Sequence, residues 1–379
     1  CGRPVLATRS GGMPEYLESV AFGGHTYMHF APGPSLLCLP FVAIWGVDGF
    51  NISWLSILLG AGNCALFYRV FRQMGIGRGI RERFWCTVLA VFGTTHCFLA
   101  AIGHSWFLGH VSGWFFLLLA IVFLTRKSKR PGLDIFLAGL CYGFSVTCRM
   151  ANLPGAVFFF GYILLRHEKR SWLRLLLLFC AGAAIFGGMY MAFDYIRYGT
   201  IMDQGYNLTH LKDLHRDLYN QLQSLPASEQ LAFLKECEKT VGGPLSLSSI
   251  PYNLYSIFLL PPAFSTEFPY IIPTMAGVCL SITSPALYFA LRADFKKEKL
   301  CWFILGAMVL CALPFLMNYG NGFAQFGMRY AMDFLPYTLL LAAMGLTRRE
   351  LTSWKAALIL LCVLVNLWGP VYWNCFYLA

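Results

Sequence analysis

Charge is the scarcest property of this sequence. Only 12% of its 379 residues are charged, whereas 58% are hydrophobic, and the mean hydropathy is +0.59. An ordinary soluble domain has roughly 25% charged residues. Since the chain lacks the polar side chains that would cover a fold of this length in water, its apolar excess must face lipid. The shortage of charge excludes a soluble globular protein and predicts a polytopic membrane protein.

Acidic residues are scarcer than basic ones, 18 against 29, which gives a formal net charge of +11. In a soluble chain this excess would raise the question of nucleic-acid binding. Here, however, 20 of the 29 basic residues fall in five clusters between apolar stretches, at residues 69–83, 126–130, 166–174, 292–299 and 348–355. Basic loops of this kind are typical of the cytoplasmic side of a membrane protein. The pattern predicts five cytoplasmic loops and excludes nucleic acid as a partner.

The sequence also has no CxxC pair and no zinc-type spacing, although it has 14 cysteines. They are scattered singly through apolar segments, so we expect small buried hydrophobic residues rather than metal ligands. The chain begins at Cys1, without Met and without a signal-peptide pattern. We therefore expect the natural N-terminus to lie upstream, with a lipid-modified mature terminus as the alternative.

Ten segments are candidates for membrane spans, which need roughly 17 to 25 mostly apolar residues. The clearest four are residues 106–124, 175–193, 300–317 and 356–379, and the weaker six are residues 50–70, 84–103, 133–148, 151–165, 275–291 and 329–346. Placing every basic cluster inside puts residues 1–49 outside, which implies at least one further span upstream. The apolar stretch 34–45 is too short to span and predicts a re-entrant or interfacial helix on the outer face.

The predicted fold class is all-α, with four parts. Residues 1–49 are the end of an external loop with the interfacial helix, 50–193 are transmembrane helices, 194–274 are an external (periplasmic) segment, and 275–379 are the C-terminal transmembrane helices. Within the external segment, the charged stretch 210–239 predicts one or two helices broken at Pro226, and residues 245–270 are apolar, aromatic and proline-rich. No internal repeat typical of secondary transporters is visible.

Ionisable groups at the outer ends of the spans are the candidates for a functional site, because burying charge near hydrocarbon is costly and is usually functional. The first group, His25, Tyr27 and His29, precedes the turn Pro32-Gly33-Pro34. It is either the lip of an active-site cavity or an interfacial turn. A second group consists of three histidines in one hairpin, His96, His104 and His110. Because no acid faces them in the sequence, they are predicted to be hydrogen-bonded core residues rather than metal ligands.

The remaining candidates are arginines and carboxylates. Arg149 stands at the outer tip of a short hairpin, where it either grips a phosphate or extends its charge toward the membrane surface. Arg197 lies between Asp194 and Asp203 just beyond a span. Arg329 and Asp333 are four residues apart and therefore share a helical face. This spacing predicts either a simple ion pair or two groups that face a cavity at headgroup depth.

Four segments together resemble a known family. They are residues 24–37 (GHTYMHFAPGPSLL), the glycine-rich helix that ends at Arg149, residues 194–200 (DYIRYGT), and residues 326–330 (FGMRY) with Leu335-Pro336. In this order, across nearly the whole chain, they resemble the bacterial polytopic glycosyltransferases of the GT-C fold, the group that includes dolichyl-phosphate-mannose protein mannosyltransferase-like enzymes. The resemblance implies transfer of a sugar from a polyprenyl-phosphate carrier to a glycan, lipid or protein acceptor outside the membrane. The lack of an evident organelle signal and the short loops predict that the protein lies in the bilayer of a bacterial inner membrane.

Transfer from such a donor needs cations that stabilise the phosphate leaving group. It also needs an acidic side chain that, as a carboxylate, takes the proton from the acceptor hydroxyl. Arg149 and Arg329 are predicted to bind the donor phosphate. The predicted cavity or substrate contacts are His25, Tyr27, His29, Arg197, Tyr206, Asn207 and Asp333. The family places its catalytic acid in the first external loop, where this chain has only Glu15 and Glu18, neither in a convincing motif. No catalytic residue is therefore assigned, and the base is expected upstream of Cys1.

Related enzymes differ in whether they use a divalent metal, and no ligand spacing in this sequence decides the question. Two other functions remain open. A transporter or flippase for a lipid-linked sugar would also place arginines in a cavity, but it needs groups near the bilayer midplane. The outward position expected for Arg149, Arg197, Arg329 and Asp333 favours the enzyme. The third alternative is a scaffold or inactive homologue that lacks the acid.

Overall fold

A computed structural model describes residues 19–377 of the chain, and this part is mostly helical. Its first eight α-helices are α1 (Gly33–Gly49), α2 (Ile52–Gln73), α3 (Ile80–Phe92), α4 (His96–Ile102), α5 (Ser105–Thr125), α6 (Pro131–Cys148), α7 (Ala156–Arg166) and α8 (Trp172–Tyr198). They are followed by α9 (Gly205–Leu214), α10 (Arg216–Ser224), α11 (Ala227–Val241), α12 (Ile250–Phe258), α13 (Leu280–Thr283), α14 (Leu300–Met317), α15 (Leu335–Thr347) and α16 (Ser353–Tyr372). A π-helical turn, Trp373–Tyr377, continues α16.

The strands of the described residues form two short antiparallel hairpins. In the first, β1 (Ser19–Phe22) pairs with β2 (His25–Met28), with Ser19 opposite Met28. In the second, β3 (Ala263–Phe264) pairs with β4 (Ile271–Ile272). The all-α fold class is therefore confirmed, with the hairpins as small additions.

Six helices of the described residues are long and apolar enough to cross a membrane. They are α2, α5, α6, α14, α8 with the short turn before it, and α16 with its π-helical turn. The pair α3–α4 is bent by 58° and adds a seventh if it is one broken span. These lengths and compositions indicate an integral membrane protein, but they correct the expected ten spans to six or seven.

Three expected spans are too interrupted to be counted. Residues 151–165 begin as a 3-10 helix that contains Pro154, which leaves 11 residues to α7. Residues 275–291 break at Ser284 before the 3-10 helix Pro285–Arg292. Residues 329–346 begin as the 3-10 helix Arg329–Asp333, and α15 has only 13 residues. Proline has no backbone N–H to donate and restricts the backbone conformation of the residue before it, so it interrupts helices within apolar stretches. Apolar composition alone therefore overestimated the number of continuous helices.

Helix α5 is the centre of the bundle. Within its most apolar stretch 78% of the residues are buried inside the protein, compared with 22% for α8. The indole Nε1 of Trp114 donates a hydrogen bond of 2.6 Å to the carbonyl oxygen of Met332. This bond ties the 3-10 helix Arg329–Asp333 to α5, since a buried tryptophan is stable where its N–H has an acceptor.

Helices α6 and α8 cross at glycines. A Cβ atom at Gly139 of α6 would collide with the carbonyl oxygen of Phe179, and one at Gly182 of α8 would collide with that of Phe136. Small residues at a crossing let two helix backbones approach closely, which is a common way to pack helices in membranes. The contact holds α6 in place and thereby positions Arg149, the residue that follows it.

The basic clusters meet at one end of the bundle. Ion pairs join loops that are far apart in sequence, namely Arg78–Glu350 at 3.8 Å, Arg166–Glu298 at 2.9 Å and Arg348–Asp294 at 3.0 Å. At the same end, the Thr125 hydroxyl donates to the Gln73 side chain at 3.0 Å. We call this the basic end and the other the site end.

Helix α1 begins and ends at the site end. A Cβ at Gly33 would lie 2.7 Å from Sγ of Cys148, the last residue of α6. Near the far end of α1, Asn51 caps α2, and the Ser53 hydroxyl donates to the carbonyl oxygen of Ile102, the last residue of α4, at 2.9 Å. The helix is kinked at Gly46, where φ is 72°. A helix with both ends at one level has the geometry of a re-entrant or interfacial segment.

The segment between α8 and α12 has a small core of its own. Hairpin β1–β2 packs on α9, α10 and α11 through buried apolar side chains that include Val20, Phe22, Leu208, Leu222 and Leu234. The backbone N–H of Ala21 donates to the Tyr219 hydroxyl at 2.8 Å. As the sequence predicts, Pro226 separates two helices, α10 and α11.

Candidate functional site

The candidate site lies at the site end, where four elements meet. These are the N-terminal half of α5, the end of α6, the 3-10 helix Arg329–Asp333, and the loop that joins β2 to α1. Each element carries a residue that the sequence singled out.

Arg149 follows α6 in extended backbone conformation, with φ −149° and ψ 106°. Its aliphatic stem lies over two glycines of α5. A Cβ at Gly109 would be 3.7 Å from Cδ of Arg149, and one at Gly113 would be 3.4 Å from its Cγ. The i,i+4 pair of glycines thus forms a smooth groove for the arginine. The side chain of Arg149 is 18% exposed.

The Arg149 guanidinium forms a bidentate ion pair with Asp333. Nε donates to Oδ1 at 3.0 Å and Nη2 donates to Oδ2 at 2.6 Å. His110, on α5 between the two glycines, places Nδ1 3.3 Å from Oδ1 of the same carboxylate. Burial raises the pKa of Asp333, but the Arg149 charge and the His110 contact outweigh it and hold the pKa at about 2. The carboxylate is ionised and only 2% exposed.

This pairing differs from the i,i+4 pair of Arg329 and Asp333 that the sequence suggested. Residues 329–333 form a 3-10 helix, in which three residues complete a turn. Residue i+4 is then about 120° around the axis from residue i, so the two side chains diverge. The carboxylate of Asp333 turns to α5 and α6, and Arg329 has no carboxylate partner among residues 19–377.

Arg329 is 8% exposed and surrounded by aromatic rings. Its Cζ lies 5.1 Å from the ring centre of Trp106 and 5.2 Å from that of Tyr330. Nη1 donates one long hydrogen bond, 3.4 Å, to the carbonyl oxygen of Phe323. Aromatic faces attract a cation but leave its N–H groups unpaired. A buried guanidinium in this state is suited to bind an anion through its remaining donors.

The ring of Tyr330 connects the two arginines. Its centre lies 5.5 Å from Cζ of Arg149 and 5.2 Å from Cζ of Arg329. It also packs on the ring of Phe315 at the end of α14, with 5.4 Å between centres. The two arginines carry two positive charges, and the Asp333 carboxylate, which pairs with Arg149, cancels one of them. One net positive charge remains. The site is therefore electrostatically prepared for a singly charged anion.

One residue of the external segment, Tyr206, lies beside this charge. Tyr206 on α9 is 40% exposed and close enough to Arg149 for that charge to act on its hydroxyl. Its ring lies 5.3 Å from that of His29. A Cβ at Gly205 would be 2.8 Å from Cβ of His29, so the start of α9 packs closely on the loop before α1. The contact brings His29 and Tyr206 to the same side as the arginines.

Arg197 belongs to a separate cluster. Its Nη2 lies 2.6 Å from Oδ1 of Asp194 and 4.0 Å from Oδ1 of Asp203, and Nη1 donates to the carbonyl oxygen of Met28 at 3.2 Å. The guanidinium also covers the ring of Phe193. These contacts join the end of α8 to hairpin β1–β2. Arg197 is a paired, buried anchor of the external segment.

The other sequence candidates lie outside the arginine cluster. His25 is exposed on β2, and Tyr27 packs on Tyr198 with ring centres 5.7 Å apart. Asn207 is half-buried and donates to the Gln204 side chain at 3.1 Å. The structure thus brings together five of the nine predicted site residues, Arg149, Arg329, Asp333, Tyr206 and His29.

From the sequence, His110 was predicted to be a core residue, and Trp106 was not identified as a candidate site residue. Of the three histidines, His96 is the core residue that the sequence predicted: it stacks on Trp114 and contacts the Asn63 side chain at 3.0 Å. His110 instead contacts Asp333. The glycines on both sides of His110 were the available signal, because an i,i+4 pair of glycines on an apolar helix predicts close approach of another group.

Glu15 and Glu18 lie outside the described residues, as does Cys1. Within residues 19–377, no group of three or more His, Cys, Asp or Glu side chains is arranged to hold a metal ion. Asp333 is ion-paired with Arg149, lies 3.3 Å from Nδ1 of His110 and is nearly fully buried, so it is poorly placed to accept a proton from a substrate.

Comparison with protein-family models, with curated proteins and with solved structures gives no match to this chain. Any assignment of function therefore depends on the chemistry of the site. Its defining property is a buried guanidinium that has no carboxylate partner among residues 19–377 and lies beside a second arginine, at the end of the bundle opposite the basic loops.

Proposed function

We propose that this protein is a membrane glycosyltransferase that moves a sugar from a polyprenyl-phosphate donor to an acceptor at the site end. The observation that carries the proposal is Arg329, a cation 8% exposed and enclosed by Trp106 and Tyr330, with no carboxylate partner among the described residues. A buried charge is costly unless it is compensated. The phosphate of a lipid-linked sugar supplies that compensation at headgroup depth.

In the proposed reaction, an acceptor hydroxyl oxygen bonds to the anomeric carbon of the sugar while the bond from that carbon to the phosphate oxygen breaks. The electron pair of the broken bond stays on the phosphate, which gains one negative charge. Arg329 stabilises this charge with its free donors, and Nη1 of Arg149, which Asp333 does not engage, is a second donor. The hydroxyl proton goes to a carboxylate of the kind that the resembled family carries in its first external loop, and no residue among 19–377 is assigned this role.

Aromatic and amide side chains around the cations suit a sugar. Tyr206, which is close to Arg149, forms an edge-to-face pair of rings with His29, and Asn207 is the next residue on α9. Rings pack on the apolar faces of sugars and amides bond their hydroxyls, as ligand sites combine apolar walls with a few placed polar groups. The external segment from α8 to α12 then forms the roof of the site and contributes to the choice of acceptor.

The charge distribution supports a site on the outer face of the membrane, in keeping with the proposed bacterial inner-membrane enzyme. All five basic clusters lie at the opposite end, and the positive-inside rule makes that end cytoplasmic. The transporter or flippase alternative needs charged groups near the middle of the bilayer. Arg149, Arg197 and Arg329 instead all lie at the site end, which favours the transferase.

The test is transfer of radiolabelled sugar from polyprenyl-phosphate donors in membranes that contain the protein. Replacing Arg329 with Ala should lower transfer by about 10²- to 10³-fold, the usual cost of removing one group that stabilises developing charge. Arg329→Lys should recover only part of the activity, because a lysine is a point charge without the forked donors. Folding is checked by monodispersity and thermal stability in detergent.

Arg170→Ala is the matched control, because Arg170 is 87% exposed at the basic end and pairs with Glu168. It should leave transfer unchanged. Full activity in Arg329→Ala would remove Arg329 from the phosphate-binding role. Donor lipid that crosses the bilayer intact, without sugar transfer from any donor tested, would replace the transferase by the flippase.

A further inference from the structure

One face of α9 is turned toward the bundle at the site end and carries three polar side chains. Tyr206, His210 and Asp213 are spaced by four and three residues, so they project from the same side of the helix. Tyr206 lies close to Arg149. The other two side chains contact Tyr319, in the chain that leaves α14. This face of α9 therefore extends from the arginine cluster to the end of α14.

Tyr319 holds α9 through both its hydroxyl and its ring. The hydroxyl donates to Oδ2 of Asp213 at 2.8 Å, and the ring lies edge-to-face with that of His210, with 5.0 Å between centres. The ring of His215, the residue after α9, lies 5.5 Å from that of His210. These four side chains, which we call the clasp, fasten α9 to the chain that leaves α14.

His210 occupies the clasp in surroundings that suit an uncharged ring. The residue is 5% exposed, and its Nδ1 is buried without a hydrogen-bond partner among residues 19–377. Burial lowers the pKa of His210 and the neighbouring His215 lowers it further, whereas Asp213 raises it. Burial and a like charge both oppose the imidazolium. The closed clasp therefore favours neutral His210.

The other charged groups near α9 lie away from His210 or at the far end of the helix. Lys212 projects from the opposite face and donates to the carbonyl oxygen of Ser19 at 2.8 Å. Hairpin β1–β2 and α11 pack on α9 through apolar side chains, and the charged side chains of α10 and α11 are exposed except for the half-buried Glu238. His29 contacts the first turn of α9 and is the second histidine at this interface.

Hairpin β1–β2 and helices α9 to α11, which we call the cover, share one small core and are joined to the bundle at two edges. At one edge, Arg197 anchors the end of α8 to the carbonyl oxygen of Met28. At the other, Gly242 follows α11 with φ 81° and with open space around its Cβ position. Beyond it the chain stays with the bundle, since the Tyr319 N–H donates to the carbonyl oxygen of Pro244 at 3.0 Å. Such a linkage lets the cover rotate as a body.

We propose that the clasp opens when His210 takes a proton, and that the cover then moves away from the arginine cluster. The proposal concerns access to the cluster, whichever ligand binds there, and so goes beyond the proposed function. Separation of α9 from Tyr319 lets water solvate the new charge, and Tyr206 leaves Arg149 with the cover. Because the open form binds the proton more tightly, its fraction grows as the pH falls below about 6.5.

The first experiment measures the distance between the cover and the bundle with two spin labels on the protein in nanodiscs. The labels are attached at Ser224→Cys on the cover and at Ser248→Cys in the turn bonded to the end of α14, in a background without Cys180 and Cys375. From pH 7.5 to pH 5.5 the ratio of open to closed populations should rise about tenfold, since a solvated imidazole takes a proton over this range and the closed clasp resists it. An unchanged distance distribution would overturn the proposal.

Two substitutions separate the charge of His210 from its packing. His210→Phe keeps a ring against Tyr319 but takes no proton, so it should stay closed at both pH values. His210→Lys carries a charge at both and should populate the open form at pH 7.5, with folding checked by monodispersity in detergent. If the lysine variant does not fold, the phenylalanine variant still decides, because a pH response that persists in it contradicts the proposal.

His29→Phe and His167→Phe are the matched controls. His29 lies at the same interface, at the first turn of α9, and His167 lies at the basic end beside Arg166. Both variants should keep the pH response of the wild type. A response that disappears in His29→Phe and survives in His210→Phe would assign it to the other histidine and rule out the clasp.

The second experiment asks whether the movement uncovers the arginines. Modification by p-hydroxyphenylglyoxal is followed by peptide mass spectrometry, with the exposed Arg170 of the basic end as the internal reference. At pH 7.5, modification of Arg329 relative to Arg170 should be several-fold faster in His210→Lys than in the wild type, and unchanged in His210→Phe. The wild type at pH 5.5 should show the same rise, since the reference corrects for the slower reagent. An unchanged ratio alongside the open label distance would mean that the cover does not control access.

Neither experiment uses a sugar donor, so the two proposals fail separately. Labels and modification rates that do not respond remove the clasp and leave the transferase as it stands. Absence of sugar transfer from every donor, with a pH response that His210→Phe abolishes, removes the transferase and leaves the clasp.

Discussion

Arg149 and Arg329 carry the same charge beside the same tyrosine ring, but their surroundings differ. Arg149 has a bidentate carboxylate partner, whereas Arg329 has two rings and one long bond to a carbonyl oxygen. An incoming anion would have to compete with Asp333 for Arg149, whereas no carboxylate of the described part of the chain pairs with Arg329. Arg329 is therefore the main anion-binding group, and Arg149 is a second donor held in place by Asp333.

Replacing Asp333 with Asn tests the ion pair. The change leaves the buried Arg149 charge without compensation, and removing one partner of a buried pair costs about 3–5 kcal/mol. We expect a clear fall in thermal stability in detergent at pH 7, measured by loss of the monodisperse peak after heating. Glu298→Gln is the control, because it breaks an exposed pair with Arg166 that is worth about 1 kcal/mol or less.

The same pair predicts how this stability difference depends on pH. The pKa of Asp333 is about 2 in the folded protein and about 3.9 in an unfolded chain. A lowered folded-state pKa stabilises the protein above pH 4, and this contribution disappears as the pH falls toward 2. The gap between wild type and Asp333→Asn should be constant from pH 5 to 8 and narrower at pH 3. A constant gap down to pH 3 would show that Asp333 is not held ionised by Arg149.

Helices α6 and α8 pack closely against each other because glycines lie where they cross. Gly182→Val should destabilise the protein by at least 1–3 kcal/mol, because the new side chain meets the carbonyl oxygen of Phe136 and the two helices must separate. Gly187→Ala, on the same helix, should change stability by less than about 1 kcal/mol, since nothing lies within 4 Å of its Cβ. Thermal stability in detergent measures both.

The two glycine variants also bear on the site. Separation of α6 from α8 displaces the end of α6, and with it Arg149, so Gly182→Val should weaken donor binding at temperatures where it remains folded. Equal stability of Gly182→Val and Gly187→Ala would mean that α6 and α8 do not cross as closely as described.

At the scale of the whole molecule, charge is segregated between the two ends. Ion pairs between distant basic loops occupy one end, and the arginine cluster with the external segment occupies the other. The amino-acid sequence implied this division, because the basic clusters recur between alternate apolar stretches. The division orients the protein in the membrane if the positive-inside rule holds.

Cysteine labelling tests the orientation. In a background without the exposed cysteines Cys180 and Cys375, Ser224→Cys should react with an impermeant maleimide in intact spheroplasts, and Ser128→Cys only after lysis. Ser224 lies in the external segment and Ser128 at the basic end, and both are exposed. Reversed labelling would place the arginine cluster in the cytoplasm and remove the support for an extracytoplasmic donor.

Much of the fold follows from composition. The apolar excess and the shortage of charge determined a helical membrane protein, since only helices of sufficient length satisfy their backbone in lipid without a closed barrel. The uninterrupted runs became α2, α5, α6, α8, α14 and α16. The number of spans could not be determined in this way, because apolar composition does not reveal where proline or a 3-10 turn ends a helix.

The sequence by itself determined that Arg149, Arg329 and Asp333 lie at the ends of apolar segments, where burying a charge is costly. Only the tertiary structure decided their roles. The packing of α6 over the glycines of α5 delivered Arg149 to Asp333, and the 3-10 geometry turned Asp333 away from Arg329. The physical reason is that the free energy of a buried charge depends on its neighbours in space, and Arg149 and Asp333 are 184 residues apart in sequence.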